Sequence, residues 1–167
     1  SEDVVEILLN MKQVRFKKIV DHDVQTEKIS LNIKGKSEFT AGMIGEATHS
    51  FQIMNPDLLI CTLDSSARMD IELTIGKGRG YVPAEDNKPK DAPLGYIPID
   101  AIFTPIKNVK YTIENTRVEQ RTDFEKLIME VSTDGTIHPE EAVKQASRIL
   151  IQHLMIITDE NITFDNK

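Results

Sequence analysis

In Met69-Asp70-Ile71-Glu72-Leu73-Thr74-Ile75, apolar and polar side chains alternate at every position. Successive side chains of a β-strand point to opposite faces, so this pattern predicts a strand with one face against a core. Residues 29–33 alternate in the same way. The apolar run 58–63 predicts a buried strand that follows a turn signal at residues 55–57.

Strand signals continue on both sides of this region. Val14 and Phe16 alternate with polar neighbours upstream, and residues 97–103, 109–113 and 124–131 predict strands downstream. Two intervening segments lack periodicity. Residues 35–45 contain three glycines and predict irregular structure, while residues 76–93 are rich in Gly, Pro and charge and predict a long exposed loop. Long loops in compact domains often carry function.

A helix is predicted at the start of the chain. Ser1 is a candidate N-cap, acidic residues follow in the first turn, and apolar residues recur at helical spacing to Met11. Because a natural polypeptide rarely begins directly at a cap, we expect a further segment ahead of Ser1.

The strongest helix signal begins at Pro139, a residue favoured in the first turn, and runs to about Ile157. His138 precedes it and is a candidate cap. Strands framed by helices predict an α+β fold that is mostly antiparallel. The segment after Thr116 is expected to belong to a second domain.

The composition excludes several classes of protein. Of 167 residues, 40% are hydrophobic and 28% are charged, which is typical of a folded globular chain. Lys and Arg number 20 against 27 Asp and Glu, and the formal charge of −7 disfavours binding to a polyanion. No apolar run has the length of a bilayer span. The single cysteine, Cys61, lies in an apolar strand, so we expect a core residue and a reducing, cytoplasmic environment.

The last helix is apolar on more than one side. Its broad face is expected to pack on a sheet, while Ile151 and Met155 fall on the opposite side. These two residues either are ordinary surface residues or are covered by a partner protein, and we favour the partner.

No catalytic constellation, metal site or cofactor site is predicted. Gly76–Gly80 invites a phosphate-binding interpretation, but Tyr81 stands where the dinucleotide pattern needs Gly, and no Gly-Lys-Ser/Thr follows. A contact loop is the favoured interpretation, and a nucleotide-binding enzyme is the alternative. Residues 21–23 have metal-friendly side chains, but neighbours on a strand cannot converge on one ion, so a solvated turn is favoured.

Five blocks of sequence carry a resemblance to a known family. The blocks are residues 2–12, 78–84, 99–105, 109–123 and 126–142, and the first three read EDVVEILLNMK, GRGYVPA and IDAIFTP. Together they resemble, in the same order, the alpha subunit of bacterial-type DNA-directed RNA polymerase. They span nearly the whole chain.

The resemblance implies a non-catalytic assembly subunit that dimerises and binds the beta and beta-prime subunits for DNA-templated transcription. Residues 1–116 would form the inserted, mostly β domain, and residues 117–167 the C-terminal half of the dimerisation domain. The other half of that domain and a DNA-contacting domain are expected outside this sequence. The chain itself is therefore expected to contact neither DNA nor membrane, in the cytoplasm of a bacterium or in a plastid.

The resemblance also implies which residues contact other proteins. The residues matched to contacts with the large subunits are Lys12, Gly78, Arg79, Gly80, Tyr81, Val82, Pro83, Ile99, Arg117, Arg121 and Lys126. The residues matched to the dimer interface are Ala142, Val143, Ala146, Ile149, Leu150, Ile151, Leu154 and Met155. An exposed loop that presents Arg79 and Tyr81 is also the kind of surface that anchors protein interfaces.

Overall fold

The structure is a computed structural model that describes residues 2–21, 24–64, 66–118 and 121–158. The chain divides into two compact units, the first ending at Thr104 and the second beginning at Pro105. The fold is α+β with antiparallel strand pairs, as the sequence predicts. No helix in the described ranges is long and apolar enough to cross a membrane.

Helix α1, Val4–Met11, opens the first unit. Its N-cap is Asp3 rather than Ser1, which lies outside the described residues. The Asp3 side chain accepts a hydrogen bond from the Val4 amide at 2.6 Å, and the Glu6 carboxylate accepts one from the Asp3 amide at 3.1 Å. This reciprocal capping box satisfies amides that the first turn of a helix leaves without partners.

The first unit continues as short strands with one further helix. These elements are β1 Phe16–Lys18, β2 Thr26–Lys34, β3 Glu38–Thr40, α2 Ala41–Ala47, β4 Phe51–Ile53, β5 Leu59–Thr62, β6 Arg68–Gly76, β7 Tyr81–Val82 and β8 Ala101–Ile102. The strands form antiparallel pairs β1–β4, β2–β6, β3–β5 and β7–β8.

The predicted alternation of residues 69–75 is confirmed in β6, which pairs with β2 along nine residues of each strand. Apolar residues of the two strands lie directly opposite one another, as in the pair Ile29 and Leu73 and the pair Leu31 and Ile71. This register collects the apolar side chains of both strands on one face, and that face contributes to the core.

Every buried hydrophobic residue within the described ranges belongs to the first unit. This core comprises Val14, Ile29, Ile33, Phe39, Ala41, Ile44, Phe51, Ile53, Ile60, Cys61 and Ile75. The predicted core position of Cys61 is confirmed, and burial raises the pKa of its thiol.

Three predictions for the first unit differ from the structure. Residues 35–45, predicted as irregular, contain β3 and most of α2. The glycines there misled the prediction, since Gly45 lies inside α2, where a Cβ would come within 3.0 Å of the Ile53 side chain. This glycine serves close packing rather than a turn. Of the strand predicted at 97–103, only β8 forms, and the predicted loop at 76–93 includes β7.

The second unit is a hairpin followed by a helix. Strand β9, Ile106–Val118, pairs with β10, Arg121–Thr133, and both strands are longer than the sequence predicts. The predicted domain boundary after Thr116 falls inside β9, and the assignment of the two domains stays a prediction. The register places Val109 opposite Val131, Tyr111 opposite Met129 and Ile113 opposite Leu127. One face of the hairpin is therefore apolar along these three pairs, which we call the hairpin face.

Helix α3, Pro139–Met155, confirms the predicted start and ends two residues before the predicted end. His138 occupies the N-cap position, but its side chain makes no capping hydrogen bond. The prediction that the broad face packs on a sheet is wrong, because no residue of α3 is buried within this chain. Ile149, Leu150 and Leu154 are each more than half exposed. Met155, predicted on the opposite side, is less exposed than these three residues.

Glu27 on β2 holds the segment between α2 and β4. Its carboxylate accepts hydrogen bonds from Thr48 Oγ1 at 2.7 Å, the His49 amide at 3.0 Å and the Ser50 amide at 3.2 Å. The bond from the His49 amide, followed by that from Thr48, lowers the pKa of Glu27 below its ordinary value of 4.5.

We expect Glu27→Gln to lower the free energy of unfolding at neutral pH by about 1 kcal/mol, because the charged acceptor of these hydrogen bonds is lost. Solvent partly screens that charge, which keeps the effect small. The Glu27 pKa is lower in the folded state, so the contribution is present above pH 4.5 and is lost as the pH falls through the folded-state value. Urea unfolding from about pH 7 to about pH 3 should show a shallower acid loss in the variant. Glu38→Gln on β3 is the control, and identical acid profiles for Glu27→Gln and wild type would contradict the assignment.

Candidate functional site

The predicted contact residues divide between the two units. Lys12, residues 78–83 and Ile99 lie in the first unit, and Arg117, Arg121 and Lys126 lie in the second. None of the described residues forms a group of three or more His, Cys, Asp or Glu side chains that could hold a metal ion.

The strands β7 and β8 form a short ribbon that presents the predicted loop. Tyr81 lies opposite Ile102, and Val82 lies opposite Ala101. The carbonyl of Gly80 extends the pairing, since it accepts hydrogen bonds from the Phe103 amide at 2.8 Å and the Thr104 amide at 3.2 Å. Gly80 has a φ of +65°, a conformation that favours glycine.

Gly78 is required for a different reason. A Cβ at this position would lie 2.5 Å from Cδ2 and Cε2 of the Phe103 ring and 2.8 Å from its Cγ. The backbone at residue 78 therefore passes directly against the aromatic ring. This close approach fixes the segment that enters β7 against the segment that leaves β8.

The ribbon exposes a set of large side chains, which we call the ribbon patch: Arg79, Tyr81, Leu94, Ile97 and Ile102. Tyr81 is 60% exposed and Ile102 is 55% exposed, and as a directly opposed pair they lie on the same face of the ribbon. Leu94 is fully exposed. Exposed aromatic and arginine side chains, such as Tyr81 and Arg79, are enriched at protein interfaces.

Asn87 ties down the long connection between β7 and β8. Its side-chain amide donates to the carbonyl of Ile99 at 2.9 Å, and its own carbonyl accepts a hydrogen bond from the Tyr96 hydroxyl at 3.4 Å. The Pro83 carbonyl accepts from the amides of Asp86 and Asn87 at 3.1 and 3.3 Å, which closes a turn directly after the ribbon. The connection is thus an ordered structure, and its exposed side chains are held in place.

Lys12 lies at the C-terminal end of α1 and forms an ion pair with Asp100. The two side chains are 30% and 25% exposed, so the pair is mostly shielded from water. The hydrogen bond from Lys12 lowers the pKa of Asp100. Asp100 is the neighbour of Ile99, so the pair brings two predicted contact residues to the same place.

In the second unit, Lys126 on β10 lies opposite Glu114 on β9. The neighbouring charged pair is Lys110 opposite Glu130, and opposite charges across an antiparallel pair are favourable. Lys126 and Arg117 are exposed, whereas the Arg121 side chain lies outside the described residues. The hairpin therefore has one apolar face, and both charged pairs lie on its other face, where the Ile128–Thr112 pair separates them.

The sequence did not identify Asn87, Asp100 or Ile102 as part of this surface. Ile102 stands in a block that resembles the family, but only the register reveals that it lies beside Tyr81. Asp100 is 88 positions from its partner Lys12, and no periodic pattern marks such a pair. Asn87 stands in a charged loop whose composition indicates only solvent exposure.

The geometry of Gly76–Gly80 does not support the nucleotide-binding alternative. Phosphate-binding glycine loops lead into a helix, whose first amides bind the anion. Here Gly80 leads into strand β7, Gly78 packs on Phe103, and the Gly80 carbonyl accepts two hydrogen bonds within the ribbon. The glycines of this loop therefore allow packing and pairing within the ribbon instead of binding an anion.

Comparisons with known proteins point to one family. Residues 1–104 match the family described as RNA polymerase Rpb3/RpoA insert domain, and the match ends where the first compact unit ends. The whole chain is similar to proteins named DNA-directed RNA polymerase subunit alpha. Identity is 62% with the Cytophaga hutchinsonii protein (98% of this chain, 49% of the relative) and 54% with the Bacteroides thetaiotaomicron protein (99% and 50%). The Chloroherpeton thalassium protein is 48% identical, over 95% of this chain and 47% of the relative. The chain spans about half the length of these relatives.

We expect Gly78→Ala to destabilise the protein by about 1–3 kcal/mol, because the added methyl group overlaps the Phe103 ring. Removing the ring should relieve the overlap, so the pair Gly78→Ala and Phe103→Ala should be strongly non-additive in a double-mutant cycle of unfolding free energies. Gly80→Ala is the matched control. No atom lies within 4 Å of its added Cβ, so it should cost only backbone strain and show no coupling to Phe103. Additive effects for Gly78 and Phe103 would refute the close approach.

Proposed function

The chain belongs to the RNA polymerase alpha-subunit family, whose insert domain its first 104 residues match, and from this membership we propose that it is a non-catalytic assembly subunit of DNA-directed RNA polymerase. It acts as a dimerising scaffold that binds the beta and beta-prime subunits in the bacterial cytoplasm. Its contribution to transcription is to hold other subunits together.

The observation that carries this proposal is the uncovered apolar surface of the second unit. The hairpin face includes Tyr111, Ile113 and Leu127, each more than half exposed. Along α3, Ile149, Leu150 and Leu154 are exposed to a similar degree, and the helix has no buried residue. Soluble monomers rarely expose apolar side chains over such lengths, so this surface is expected to be covered, by the part of the subunit outside this sequence or by another chain.

The ribbon patch supports contact with a large subunit. Arg and Tyr are enriched among the residues that contribute most to binding energy, and Arg79 and Tyr81 are both exposed where the chain enters the ribbon. Lys12 and Ile99 lie at the base of the same ribbon, and Arg117, Arg121 and Lys126 form the second proposed contact area. Preorganised contact residues lose less conformational entropy on binding.

The net charge of −7 supports contacts with protein rather than with DNA. Contact with DNA is therefore not proposed for this chain.

We expect Arg79→Ala and Lys126→Ala each to weaken binding to a large subunit by about tenfold, which corresponds to about 1.4 kcal/mol, while leaving the thermal unfolding midpoint unchanged. Both residues are exposed, so the loss should come from the interface rather than from folding. Surface plasmon resonance with purified beta and beta-prime subunits measures the dissociation constants.

The matched controls remove the same charge elsewhere on the same unit. Arg68→Ala on β6 is the control for Arg79→Ala, and Lys107→Ala on β9 is the control for Lys126→Ala. Undiminished binding by both test variants, or an equal loss in the controls, would count against the proposed contact residues.

We expect Ile151→Asp to weaken dimerisation of the full-length subunit by at least tenfold, because a carboxylate would be buried in an apolar interface formed by α3. Light scattering over a concentration series gives the dissociation constant of the dimer. Gln152→Asp introduces the same charge at the next position of the helix and should leave the dimer intact. A dimer that tolerates Ile151→Asp as well as Gln152→Asp would show that α3 does not form the interface.

A further inference from the structure

The ion pair between Lys12 and Asp100 connects the ribbon to the packed part of the first unit. On one side, α1 is fixed to the core, since the Asn10 side-chain amide donates to the carbonyl of Ile60 at 2.9 Å and Ile60 is fully buried. The end of α1 is fixed further by Arg15, whose guanidinium donates to the Lys12 carbonyl at 2.9 Å. Lys12 thus extends from a rigid base.

On the other side, Asp100 stands at the base of the ribbon. It directly precedes Ala101, which pairs with Val82, and directly follows Ile99, whose carbonyl accepts the Asn87 amide. A restraint on Asp100 therefore acts on the strand pairing and on the long connection at once. Within the ribbon, Asp100 is the residue that lies between Ile99 and Ala101.

We infer that Lys12 is a positioning residue, which holds the ribbon patch in its binding orientation through Asp100 instead of contacting the partner subunit itself. This inference rests on the proposed function and refines it. The ammonium group of Lys12 is already engaged by a carboxylate in a site where both side chains are mostly shielded. A partner that bound Lys12 directly would compete with Asp100 for the same ammonium group.

A charge reversal separates the two roles. Lys12→Glu and Asp100→Lys each place two like charges in contact, whereas the double variant restores an opposite pair with its order exchanged. The experiment uses the full-length subunit and two readouts. One is the dissociation constant for the large subunit, and the other is the hydrogen exchange of the Phe103 and Thr104 amides, which report on pairing to Gly80 in the unbound protein.

Each single variant should accelerate exchange of the two amides by at least tenfold and weaken binding by at least fivefold, and the double variant should recover both to within about threefold of wild type. The matched control is the exposed pair of Arg68 and Asp70 on β6, which lies outside the ribbon. Its single and double reversals should change neither readout.

Three results would overturn the inference. If the double variant recovers slow exchange but not binding, Lys12 contacts the partner directly. If the single variants exchange as slowly as wild type, the ion pair does not hold the ribbon. If the wild-type subunit binds neither large subunit, the proposed function fails and the binding role fails with it, while the exchange rates still report whether the pair holds the ribbon.

Discussion

The packing of three strand pairs and two helices around Phe39, Ile44 and Ile60 is the interaction on which the first unit depends. These side chains are fully buried, and the apolar face of the β2–β6 pair lies against the same core. Helix α1 is attached to this core through Asn10, and the ribbon is attached to α1 through the Lys12–Asp100 pair. The exposed ribbon is thus connected to the hydrophobic core of the unit through one hydrogen bond and one ion pair.

In the described part of the second unit, by contrast, the apolar side chains are not collected in a buried core. Its hairpin pairs 13-residue strands and satisfies their mutual hydrogen bonds, yet the hairpin face and the apolar side chains of α3 remain exposed. Local hydrogen bonding defines these elements, while burial of their apolar surface requires additional protein. For such a unit, assembly and completion of the hydrophobic core are the same physical event.

Sequence patterns predicted what local periodicity determines. The strict alternation of residues 69–75 predicted the position of β6, and Pro139 with the two glutamates that follow it predicted the start of α3. Helix α2 escaped prediction because its glycines serve close packing, and packing on Ile53 leaves no mark in periodicity. The expected packing of α3 on a sheet failed because an apolar helix face reveals that a cover is needed but not which molecule provides it. The ion pair of Lys12 with Asp100 joins distant positions, so only the folded chain reveals it.

The β9–β10 hairpin also affects the solubility of the chain. Within the described residues each strand pairs with only the other, so its outer edge leaves backbone donors and acceptors exposed beside apolar side chains, a combination that promotes aggregation. Covering of this hairpin, by another part of the polypeptide or by a second chain, is accordingly a solubility requirement set by the exposed strand edges themselves.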